Sequence, residues 1–137
     1  MIGQLAKILV AVGSLASIGF GMWHFFVPKA WNWNSYIDVQ ATELILAVNA
    51  INFFFSLSLV LFGVMNVFLV LGKRSNSYSV TIVLGATCVL WLARVLLQLI
   101  CPQGSMSPFL QYSMLSSFVL VFLCHAISLF TVLRRGV

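Results

Sequence analysis

Four long apolar runs, at roughly residues 5–27, 44–72, 79–100 and 109–133, alternate with short polar breaks along the chain. A helix needs about 20 apolar residues to cross a hydrocarbon core about 30 Å thick, so each run predicts one transmembrane helix. The breaks carry turn chemistry: Pro28 with an Asn/Trp segment behind it, Gly72 through Ser77, and Cys101-Pro102-Gln103-Gly104 up to Pro108. The second run, about 29 residues or about 43 Å as a helix, must tilt or project past the bilayer. No internal repeat or low-complexity tract appears. The expected fold is all-α: a single transmembrane domain over residues 1–137, built as a four-helix bundle.

Within each run the few polar residues are not scattered. At 100° per residue they gather on one face of each predicted helix. Gly13, Ser17 and Gly21 form a small-residue stripe on the first, with His24 in the same arc. Asn49, Asn52, Ser56 and Gly63 share a face of the second, Thr87, Trp91, Arg94 and Gln98 of the third, and Ser113, Ser117, Cys124 and Ser128 of the fourth. Small residues let helices approach closely in lipid, and polar side chains turn away from acyl chains, so these stripes should meet inside the bundle. The stripe of Gly13, Ser17 and Gly21 equally suits a contact with a second copy or a larger membrane complex.

Composition agrees and adds sidedness. The 137 residues are 62% hydrophobic and 7% charged, against about a quarter charged in soluble domains. Net charge is +5, yet the basic residues sit in the connections and form no nucleic-acid face. Lys7, Lys73, Arg74, Arg134 and Arg135 lie on one side of the predicted spans, and Lys29, Asp38 and Glu43 on the other. The positive-inside rule then makes both termini cytoplasmic and turns the 28–43 and 101–108 connections outward. The opening run imitates a signal peptide around Gly19-Phe20-Gly21, but it continues to full spanning length and reads as a retained helix. Cys88, Cys101 and Cys124 have no C-x-x-C spacing and read as packing residues. Trp23, Trp31, Trp33 and Tyr36 are placed as interfacial anchors.

Ionisable and amide groups at membrane depth are the site candidates. His24 lies about 6 Å from the outer end of its helix and Arg94 about 9 Å, with Asn52 at a similar level on the long tilted span. His24, Asn52, Arg94 and Gln98 therefore form the expected cluster, with Trp91 beside it and Glu43 as counter-ion to Arg94 if the second span tilts enough. The competing reading has Arg94 only fixing helix register and His24 only closing the polar edge of the bundle. His125 sits about 18 Å deeper than His24, which disfavours a haem held between them. Neither histidine has a second ligand at helical spacing, so no metal site is expected.

Residues 21–28, Gly-Met-Trp-His-Phe-Phe-Val-Pro, followed by Trp31, resemble the G-x-x-H-F-x-x-P signature that ends the first helix of DoxX-like small four-helix membrane proteins. Asn52-Phe53-Phe54-Phe55-Ser56 resembles that family's second helix, with Asn52 where the family carries Glu. Trp91 through Gln98 resembles its R-L-P-x-Q element, displaced here to the third span. The resemblance implies a membrane subunit associated with redox or sulfur metabolism and a quinone, and the expected location is a bacterial inner membrane. From the residues themselves, the expectation is a non-catalytic protein whose outer-leaflet pocket takes a quinone or a lipid headgroup, since His, Asn, Gln and Arg supply donors for carbonyl oxygens. The alternatives are a subunit of a quinone-linked oxidoreductase or a lipid or sterol isomerase, and a purely structural subunit of a larger complex. An isomerase needs an acid and a base, for which only His24 and the distant Glu43 qualify.

Overall fold

Pro28 decides where the first helix stops. A proline has no N–H for the carbonyl four residues back, and its ring presses on that carbonyl, so a helix approaching it ends or kinks. In the computed structural model, which describes residues 3–72, 75–104 and 107–135, α1 spans Gln4–His24. The expected continuation to Val27 is corrected: the Phe26 N–H turns back to the Trp23 carbonyl at 2.9 Å, and Val27–Ala30 forms a separate turn of helix, α2. Asn32 follows in the left-handed region, with φ of 48°, which Asn tolerates better than most residues. A 3₁₀ turn, Trp33–Tyr36, then leads on toward the next long helix.

The remaining helices are α3, Thr42–Leu71; α4, Ser77–Ile100; and α5, Pro108–Arg135. The Asn76 side chain caps α4 by accepting from the Ser79 N–H at 2.7 Å, while α5 opens on a proline whose missing N–H costs nothing there. Among the described residues every regular element is helical, and α1, α3, α4 and α5 are long and apolar enough to cross a membrane. Successive long helices run in opposite directions, which puts residues 25–41 and 101–104 at one end, the loop end, and the start of α1 and the end of α5 at the other. Lys73 and Arg74, which weigh in the charge count, lie outside the described residues.

Around the bundle, α1 packs against α3 and α5, α4 packs against α5, and α3 meets α4 most sparsely. Val10, Val70, Val80, Leu84 and Val132 form the core toward the termini, and Leu59, Trp91, Val95, Phe118 and Val121 the core toward the loop end. The interior also collects the polar residues: Ser14, Ser17, Ser56, Asn66, Thr87, His125 and Ser128 are buried, while Leu15, Phe54, Phe68, Val89 and Leu120 are exposed. That inverts the pattern of a soluble helix and suits helices whose solvent is lipid. Most of the hydroxyls bond locally, as when Ser56 donates to the Asn52 carbonyl at 2.7 Å and Ser128 to the Cys124 carbonyl at 2.7 Å, while Ser14 Oγ has no partner among the described residues.

The small-residue stripe is occupied within the chain. A methyl group at Gly13 would come within 2.7 Å of His125 on α5, and one at Gly21 within 2.7 Å of the Ser56 carbonyl on α3. Ser17, between them, accepts from Trp91 Nε1 at 2.9 Å. Gly13, Ser17 and Gly21 are all buried, so among the described residues the stripe packs this chain's own helices.

Candidate functional site

Ending α1 at His24 leaves the His24 carbonyl without its helical donor, because the residue four places on is Pro28. Asn52 of α3 fills the gap, donating from Nδ2 to that carbonyl at 2.8 Å. One amide thus fixes the last residue of α1 against the middle of α3. The His24 ring lies edge-on to Phe55, one turn along α3, with centroids 5.1 Å apart. Among the described residues its Nδ1 is buried and has no hydrogen-bond partner.

Arg94 approaches the same place from α4. Its guanidinium carbon stands 4.6 Å from the centroid of Phe118 on α5 and 5.8 Å from that of Phe55, within the range of cation–π attraction. One of its nitrogens, Nη2, donates to Gln103 Oε1 at 2.6 Å. Gln98, one turn farther along α4, holds the same loop by its backbone: Nε2 donates to the Gln103 carbonyl at 2.9 Å, and the Gln103 N–H donates to Oε1 at 3.3 Å. The buried Gln98 therefore positions Gln103, and Gln103 positions Arg94. Gly104, next in the chain, takes φ of 75° to turn the loop.

These groups surround a cavity of about 720 Å³ at the loop end of the bundle. Its walls are Phe20, Trp23 and His24 from α1, Trp31 and Trp33 from the connection, Asn52 and Phe55 from α3, Arg94 and Leu97 from α4, Gln103 and Gly104 from the loop, and Met114 and Phe118 from α5. The size falls in the range of about 300–1,000 Å³ common for small-molecule sites, and so does the make-up, mainly apolar with few polar groups. A smaller void, lined by Trp91 with His24, Arg94 and Phe118, adjoins it on the interior side. A second, more polar pocket of about 380 Å³ lies across Asn52, bordered by Lys29, Asn32, Asn34 and Asn49.

The structure thus brings His24, Asn52 and Arg94 to one cavity. Gln98 stands behind it as the anchor of Gln103, and Trp91 is buried beneath, bonded to Ser17. Glu43 is displaced from its expected place: it is exposed in the first turn of α3, nine residues before Asn52 or about 13 Å along the helix, and it does not line the cavity. The partner of Arg94 is a neutral amide in its stead. Gln103 escaped the sequence reading because a loop glutamine has no periodicity to mark it; its signal was only its place five residues after Gln98. The aromatic walls, Phe20, Phe55 and Phe118, are indistinguishable in sequence from lipid-facing phenylalanines.

His125 packs against Gly13, eleven residues before His24 on α1, about 16 Å of rise. The two imidazoles do not face a common point. Among the described residues no group of three or more His, Cys, Asp or Glu side chains is arranged to hold a metal ion. No family model, curated protein or solved structure matches the chain.

Proposed function

We propose that this chain is a non-catalytic integral membrane protein that binds one lipid-soluble molecule with a polar head, of quinone or lipid type, in the cavity at the loop end. The observation that carries the reading is Arg94, a cation held among aromatic rings in the wall of a mostly apolar cavity, with His24 and Asn52 on the facing helices. A charge at such a depth is costly unless it serves a partner or a ligand. Both termini are cytoplasmic in this reading, the loop end faces outward, and the membrane is a bacterial inner membrane. The DoxX-like resemblance supports the same assignment through His24, Asn52, Arg94 and Gln98. The isomerase alternative gains no support, since the two acidic side chains of the chain, Asp38 and Glu43, are outside the cavity.

Purification in a mild detergent, followed by solvent extraction and mass spectrometry, tests the proposal. A quinone or lipid retained at about one per chain is expected, and Arg94→Leu should lose it while the melting temperature stays within a few degrees. Collapse of the fold in Arg94→Leu would make Arg94 a structural residue. Strict one-to-one copurification with another chain, with no small molecule, would favour the assembly subunit. A Soret band would overturn both.

A further inference from the structure

We infer that the molecule held in the cavity is a single-chain amphiphilic anion, its carboxylate head paired with Arg94 in place of Gln103 and its chain laid along the aromatic walls. The inference rests on the binding reading above and names the class of ligand. Three observations point the same way.

The first is charge. Among the described residues Arg94 is the only charged side chain lining the cavity, and the chain's two acids lie elsewhere. A guanidinium in an apolar wall is attracted far more by an anion than by a carbonyl dipole, and its planar fork matches the two oxygens of a carboxylate. The neutral quinone is therefore the weaker fit. A doubly charged head finds no second cation in the cavity among the described residues, because Lys29 borders the neighbouring pocket.

The second is the exchangeable partner. Gln103 Oε1 is a neutral acceptor on an exposed loop residue, 2.6 Å from Arg94 Nη2. The Gln103 backbone is secured independently by Gln98, so its side chain can swing away without unfastening the loop. Trading an amide oxygen for a carboxylate strengthens the hydrogen bond to the cation.

The third is shape. The wall includes Ile51 of α3 and Leu97 of α4, 69% and 55% exposed on the flank of the bundle, where these two helices pack most sparsely. The cavity therefore opens sideways toward lipid, the route a chain-bearing molecule would use. A volume of about 720 Å³ lies in the usual range for small-molecule sites and takes one long acyl chain.

Three of the four tryptophans, Trp23, Trp31 and Trp33, line the cavity, so the full-length protein, delipidated in dodecyl maltoside, reports occupancy by its own fluorescence. Dibromostearate, the matching dibrominated alcohol, decylubiquinone and acetate serve as probes, with native mass spectrometry to count what is bound. The brominated acid should quench at a concentration about tenfold or more below the alcohol, the scale of one charge-assisted hydrogen-bonded pair. Arg94→Gln should remove that preference and leave the alcohol unchanged, Arg94→Lys should retain part of it, and Gln103→Ala should tighten binding of the acid. Acetate, a head without a chain, should not compete. Equal binding of acid, alcohol and quinone, unaffected by Arg94→Gln, overturns the anionic head while leaving the binding reading intact. Displacement by acetate overturns the amphiphile, and weaker acid binding in Gln103→Ala overturns the exchange. Failure of every long-chain probe overturns the binding reading itself.

Discussion

Three residues far apart in sequence make one joint. Pro28 removes a donor, the His24 carbonyl loses its partner, and Asn52 supplies the replacement at 2.8 Å. In a medium without water, a vacant carbonyl is costly, so Asn52→Ala should lower stability by about 1–3 kcal/mol. Pro28→Ala restores the backbone donor, and in that background the cost of Asn52→Ala should shrink markedly. A double-mutant cycle by thermal unfolding in detergent measures the coupling, and additive costs would show that the amide does something else. His24, Asn52 and Arg94 were legible beforehand because polar side chains in apolar runs are rare and helical arithmetic sets their directions. That arithmetic says nothing of loops. Gln103 is hidden for this reason, and the tilt that would bring Glu43 to Arg94 is not one that helical spacing can supply: Glu43 is absent from the cavity lining and Arg94 bonds Gln103.

Helices and their limits are readable from the runs to within two residues, except where α1 stops three residues short of its expected end. There the apolar pattern continues through Val27, and only the steric demand of Pro28 on His24 marks the boundary. Which glycines matter was less legible, since a helix-spaced stripe is the same whether it meets a neighbour in the chain or a second copy. The structure distinguishes them. A methyl group at Gly63 would meet Ile18 at 2.6 Å and the Ser14 carbonyl at 2.8 Å, whereas one at Gly85 meets nothing within 4 Å. Gly63→Ala should therefore destabilise by about 1–3 kcal/mol through forced separation of α1 and α3. Gly85→Ala should be neutral or stabilising by up to about 1 kcal/mol. Melting curves of the two variants, side by side, check the contrast.

At the scale of the whole molecule, orientation is open to a test with the natural cysteines. Cys101 is exposed at the loop end, and Cys88 and Cys124 are buried in the bundle. A membrane-impermeant maleimide added to intact spheroplasts should label the protein once, at Cys101, and Cys101→Ser should abolish the signal. Labelling only after the membrane is opened would invert the topology. The joint at His24 also bears on how such a bundle is made. The carbonyl at the end of its first helix has no donor from that helix, and the amide that satisfies it is synthesised twenty-eight residues later. The first helix thus acquires its finished end only once α3 packs against it, so the two are expected to become stable together, as a helical hairpin.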